Sequence, residues 1–133
     1  MKNFLAVILL SAAALAYGQD GPKISFETLT IDYGTIEKGA DGKRSFEFTN
    51  SGNAPLIISA AKGSCGCTVP SYPKEPILEG QSNAIEVRYD TNRIGPFTKY
   101  VTLTTNSVDN STVRLTIKGV VQAKPVAEEG GAE

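Results

Sequence analysis

Histidine and tryptophan are absent from this chain of 133 residues, and Met1 is its only methionine. Without an imidazole neither a Ser-His-Asp nor a Cys-His arrangement can form, which removes the commonest activators of a hydroxyl or thiol nucleophile. A tetrahedral zinc site, which needs about four N or S ligands, loses its usual nitrogen donor as well. Lys and Arg are scattered rather than bunched, and the formal net charge is only −1. No cationic stripe is there to neutralise phosphates, so no nucleic-acid partner is expected. The glycines match no phosphate-binding loop at the start of a helix. Glu27, Asp32, Glu37, Glu47, Glu75, Glu79, Glu86 and Asp90 fall mostly at turn or outward strand positions. They read as solvated charges rather than the facing pair that glycoside hydrolysis needs. The sequence is expected not to be an enzyme.

Long apolar runs are also missing, and the one that comes nearest is informative. Residues 1–18, "MKNFLAVILLSAAALAYG", carry a single positive residue, an apolar stretch, and small residues at Ala16 and Gly18. The run is shorter than the roughly 18 to 20 residues that cross a bilayer, and polar "QDGPK" follows at once. The segment reads as a secretory signal peptide, cleaved between Gly18 and Gln19 or at the alternative junction of Ala16 and Tyr17. Of the charged residues it removes only Lys2, which takes the net charge from −1 to −2. No membrane span is expected after its removal. The mature chain is expected to be exported, periplasmic or secreted, into a compartment where disulfides persist.

Past residue 18 the pattern is short alternating runs broken by Gly, Asn and Pro, the two-residue period of half-buried strands. "ISFETLTI" (24–31) and "YGTI" (33–36) open the domain, and "KGADGK" supplies a turn. "RSFEFTN" then sets Phe46 and Phe48 on one face. "LIISAA" (56–61) is more continuously apolar, as for a central strand covered on both sides. "AIEVRYD", "FTKYVTLTTN" and "TVRLTIKGVV" alternate again. These runs predict an all-β fold, an immunoglobulin-like antiparallel β-sandwich of seven to eight strands over residues 19–122. A flexible C-terminal tail, 123–133, is expected to follow. The expected core is Phe46, Phe48, Ile58, Val87, Tyr89, Val101, Leu103 and Leu115. The immunoglobulin signature of two distant cysteines around a tryptophan is missing.

The only two cysteines, Cys65 and Cys67, stand two residues apart in "KGSCGCTVPSYPKEP". Four readings stay open. An internal disulfide requires a kink, which Gly66 can supply, and in so short a loop it removes little entropy from the unfolded chain. Such a bond suits exchange chemistry better than stapling. Two convergent thiolates on Cys65 and Cys67 can instead hold Cu(I), which makes copper the alternative cofactor and metal. The third reading is an intermolecular tether, and the fourth is plain packing of two compact apolar thiols. Lys62 and Lys74 flank the site and lower a thiol pKa if they fold toward it. Pro70, Tyr72, Pro73 and Pro76 stiffen the following segment. Tyr72 and Pro73 are therefore candidates for partner contact, set against the plainer reading of a proline-capped sheet edge. Asn110-Ser111-Thr112 fits a glycosylation acceptor and reads as a chance turn.

"DYGTIEKG", "FEFTNSGNAPLIISAAKGSCGCTVPSYPKEPI", "YDTNRIGPFTKYVTLTTNS" and "LTIKGVV" together resemble the bacterial exported family called domain of unknown function 1573, common in Bacteroidota. The likeness runs over residues 24–121, and the run Ser64 to Thr68 is its most specific element. More remotely, the family resembles the major-sperm-protein, pilus-chaperone and cilia-associated sandwiches. What that resemblance implies is a protein-binding or envelope-assembly module with a protein partner in the cell envelope. The alternative is a thiol-disulfide-active or Cu(I)-binding periplasmic protein using Cys65 and Cys67.

Overall fold

The structure is a computed structural model that describes residues 20–125. The expected signal segment and most of the expected tail lie outside the described residues. Eight strands are present: β1 (Ile24–Phe26), β2 (Thr30–Glu37), β3 (Lys43–Asn50), β4 (Ile58–Gly63), β5 (Thr68–Ser71), β6 (Ser82–Tyr89), β7 (Gly95–Thr105) and β8 (Thr112–Gln122). They form two four-stranded sheets in the orders β1-β3-β6-β5 and β2-β8-β7-β4. No described residue is helical. The β-sandwich read from the alternation is the fold, and the layers meet through the face on which that alternation puts its apolar residues. All eight side chains expected in the core are buried. Each such side chain withdrawn from water contributes about 1.5–3 kcal/mol.

Local chemistry differs from the sequence reading at three places. The first break falls at residues 27–29, not at Asp32. Its cause is a change of phase: Ile24 and Phe26 occupy even positions, Leu29, Ile31 and Tyr33 odd ones, and a strand that shifts phase must turn its other side inward. Phe26 therefore packs on Phe48, ring centroids 5.5 Å apart, while Ile31 enters the opposite sheet. The second difference is one of direction: the chain changes sheets without reversing, and β2 runs parallel to β8 within an otherwise antiparallel fold. A bulge at Gly34, in the left-handed region at φ 67°, then resets the phase so that Ile36 again points inward.

The third difference is β4, which is an edge strand beginning at Ile58 and not a doubly covered central one. Leu56 and Ile58 are buried, but Ile57 between them is 45% exposed. Ala60 and Ala61 read as apolar in sequence yet are small enough to sit at a rim. Leu56 is instead clamped to Ile77 by two backbone hydrogen bonds of 2.8 Å.

Candidate functional site

β4 stops at Gly63 and β5 starts at Thr68, so residues 64–67 carry the chain from one sheet to the other. Gly63 is the residue this corner demands: a Cβ there would overlap the Thr68 carbonyl, a backbone atom with no freedom to yield. Ser64 is held to β7 twice. Its N–H donates to Tyr100 O (2.8 Å) and its Oγ accepts the Tyr100 N–H (3.1 Å). The Thr68 N–H donates back to Cys65 O (3.2 Å), closing a turn across which Cys65 and Cys67 form a disulfide. Their Cα atoms are 5.2 Å apart, within the usual disulfide range and closer than the roughly 6.5 Å of an extended i, i+2 pair. Cys67 is buried in the core at 3% exposure, whereas Cys65 is half-buried against it.

Several expectations need correction here. Gly66 supplies no special backbone angle, since its φ is not positive, and a Cβ on it would touch nothing within 4 Å. The bend comes from the Ser64 and Thr68 hydrogen bonds and from Gly63. No cysteine among the described residues is free. A tether to another chain or a Cu(I) clamp on Cys65 and Cys67 therefore requires the bond to be opened first, because the metal binds thiolates. The packing reading survives in part, for Cys67 is a core residue as well as half of a disulfide. Lys74 does not turn to the sulfurs; its Nζ sits 3.4 Å from the Tyr72 ring centroid. Tyr72 is half-buried, with its hydroxyl donating to Ser59 O (3.2 Å) across to β4. Tyr72 and Pro73 thus cover the flank between β4 and β5, with only part of the ring left to a partner.

Pro70 lies in edge strand β5, opposite Val87. Asp90 N–H donates to Cys67 O (2.9 Å), and from that bond the antiparallel alternation aims the backbone of Thr68 and Pro70 away from β6. Proline has no N–H and that of Thr68 is spent on Cys65, so this edge offers an incoming strand no donor at either position.

Three loops meet at this end of the sandwich. Asp90 reaches Cys67, Gly39 N–H donates to Thr91 O (3.1 Å), Tyr89 N–H to Gly42 O (3.0 Å), and Thr91 Oγ1 to Ala40 O (2.6 Å). Tyr33 Oη donates to Gly42 O (2.7 Å) from below. Burial pushes the Tyr33 phenol up to about 12, opposed by the nearby Arg44 guanidinium, and burial likewise raises that of Tyr89. Under the loops Tyr89 stacks on Phe97 at 3.9 Å, and Tyr33 meets Phe97 edge-on at 5.3 Å. The result is a recess of about 550 Å³, walled by residues 39–42, by Gly66 and Cys67, and by Val69, Arg88 and residues 89–92. Val69 is 58% exposed at its rim. Sequence reasoning found the sulfurs and, through the family resemblance, the run Ser64 to Thr68, but it missed Gly63, the hydrogen bonds that Ser64 and Thr68 make, and the two partner loops. For Gly63 the signal is its place directly ahead of the turn in "GSCGCT".

Residues 24–121 match the family model described as a protein of unknown function, DUF1573. The chain belongs to this family. No curated protein matches it. Among solved structures, this DUF1573 chain is similar to a protein of unknown function from Porphyromonas gingivalis W83, with 16% identity and a TM-score of 0.68. That match covers 83% of this chain and 51% of the other, so the chain spans about half the length of its neighbour. The ASH/PapD-like domain of human CEP192 follows at 13% identity and TM-score 0.61, covering 86% of this chain and 98% of that one. The periplasmic chaperone SfaE matches at 10% identity and TM-score 0.53, over 78% and 59% of the two chains. These likenesses support the immunoglobulin-like β-sandwich fold.

Proposed function

We propose that this chain is an exported, non-catalytic β-sandwich that binds another protein of the cell envelope through its disulfide end. The observation that carries the reading is the convergence of three loops, drawn from both sheets and hydrogen-bonded to one another, around the recess beside Cys67. A pre-ordered surface loses less entropy when a partner arrives, and loops clustered at one end of a sandwich are where this architecture places its recognition surfaces. Val69 offers exposed apolar area, with Arg88 and Asp90 as polar neighbours. Likeness to a periplasmic chaperone supports a protein as the partner and an extracytoplasmic setting. The alternative, a copper carrier, has no comparable support from the bonded sulfurs.

The test has two arms. Expression of the full chain in a bacterial host should deliver it outside the cytoplasm with Gln19 as the first residue of the mature form. Chemical crosslinking in the native envelope should yield a defined adduct that Val69→Glu and Arg88→Glu abolish and Tyr72→Ala leaves in place. An adduct indifferent to both rim substitutions would falsify the proposed surface.

A further inference from the structure

Thr68 is the residue for which the binding reading has no use. Its side chain is 3% exposed, and among the described residues its hydroxyl has only two partners, the Sγ atoms of Cys65 and Cys67, each at 3.7 Å. A sulfur is a weak acceptor, and a buried hydroxyl left with weak partners is costly. A thiolate in the same place is a charged acceptor and takes a far stronger hydrogen bond. The hydroxyl therefore matches the cleaved state of the disulfide better than the bonded one. The sulfurs also differ in access, Cys65 being half-buried and Cys67 nearly buried at the wall of the recess. The backbone adds the last element: Cys67 O holds the Asp90 N–H at 2.9 Å, so the turn and the β6–β7 loop share one bond at the wall of the recess.

We propose that Cys65–Cys67 is a reversible two-electron switch, opened by a protein dithiol with help from the Thr68 hydroxyl, that regulates the recess. The proposal rests on reading this end as the binding surface. In the opening step a donor thiolate attacks Cys65 Sγ. The Cys65–Cys67 bond breaks, a donor–Cys65 bond forms, and Cys67 leaves as a thiolate that accepts the Thr68 O–H and then a proton from solvent. The donor's second thiolate attacks the donor sulfur of that mixed disulfide and releases Cys65, which also takes up a proton. The donor is oxidised from dithiol to disulfide, and this chain gains two electrons and two protons. Unbonded sulfurs need more room than bonded ones. The buried Cys67 Sγ has no room to move deeper into the core, so the displacement is taken up by the backbone of the turn, Cys67 included, and the Cys67 carbonyl loses its hold on Asp90.

The experiment uses the full chain with dithiothreitol as the probe. Reduction is followed by acid quench, alkylation and mass, and opening by amide hydrogen exchange. Thr68→Val should slow reduction about tenfold, the worth of one charge-assisted hydrogen bond, and Thr68→Ser should restore the rate to within about twofold. On reduction of the unmodified chain, exchange of the Asp90 amide should rise about tenfold while that of Leu115, inside β8, holds steady. A Thr68→Val variant reduced as fast as the original chain overturns the role of Thr68. Equal Asp90 exchange in both redox states overturns the switch and needs no variant. The binding reading fails by a different sign, an oxidised chain that forms no crosslink in the envelope, and the exchange result still decides the switch.

Discussion

Two of the places where the chain changes sheet join one edge strand directly to another, residues 27–29 on one flank of the sandwich and residues 64–67 on the other. The first crossing is plain. Thr28 Oγ1 donates to Thr30 O (2.8 Å), Leu29 O accepts the Thr116 N–H (2.8 Å), and the Leu29 side chain is 50% exposed. The second has a disulfide, a glycine fitted against a carbonyl, a serine bonded twice to β7, and a backbone link to another loop. A change of sheet alone thus needs only a phase shift, the two local Thr28–Thr30 bonds and ordinary backbone bonds to the neighbouring strands. The additional constraint at 64–67 is concentrated where the recess lies, which ties it to that surface rather than to the topology.

Gly63→Ala is expected to break this contrast most severely. Its Cβ would overlap a backbone oxygen, and relief requires β4 and β5 to separate. The expected loss is about 3 kcal/mol, the upper range for overpacking, read as a lower urea midpoint. Gly66→Ala, two turn residues away with open space around it, should change stability by less than about 0.5 kcal/mol. Equal effects at the two glycines would place the constraint in the disulfide rather than in the fit of Gly63.

Next in size is removal of the bond itself. Cys65→Ala with Cys67→Ala frees a three-residue loop, and the chain-entropy relation assigns so short a closure about 1.5 kcal/mol. Thermal unfolding of the double variant, compared with the original chain under oxidising conditions, checks it. A loss of more than about 4 kcal/mol would make the disulfide a staple and would remove the distinction drawn between holding the fold and shaping the recess.

Tyr33 sharpens the comparison from the other flank, since it stands on β2 just past the plain crossing yet its hydroxyl serves the loop end through Gly42. Its folded pKa, pushed up to about 12 by burial, lies above the ordinary value of 10.0. Below pH 10 both states keep the proton and the stabilisation is whole. Between pH 10 and about 12 the unfolded chain ionises first, so stability falls as pH rises. Solvent screening at this loop end reduces the effect to about 1 kcal/mol. Tyr33→Phe should flatten urea midpoints across that window.

How much of this was legible follows from which interactions are local. The sandwich and eight of its core residues could be read because alternation is a property of adjacent residues, and the sulfur pair because cysteine is scarce. The sheet switch at 27–29 was also written locally, in the step from even Phe26 to odd Leu29, though it was read as one continuous strand. Edge position was not legible at β4, since Ile57 and Ile58 are chemically alike and only the neighbours β7 and β5 distinguish them. Gly66 looked like the hinge because it stands between the sulfurs. Gly63 is the hinge because of Thr68 on the next strand, and the loop partners Asp90 and Gly39 lie farther still along the chain.

The smallest expected effect is at the plain crossing. Leu29→Ser exchanges a half-exposed side chain on a turn whose backbone bond to Thr116 it does not touch. Stability should change by less than about 0.5 kcal/mol, and the recess should keep its exchange protection. Thr28→Ala removes the hydroxyl that bonds Thr30 and should cost about 0.5–1 kcal/mol, again confined to the crossing. If either substitution raised exchange at Asp90, on the far flank, the two crossings would be coupled through the sheets. The disulfide turn would then be one part of a shared device, and its separate assignment to the recess would fail.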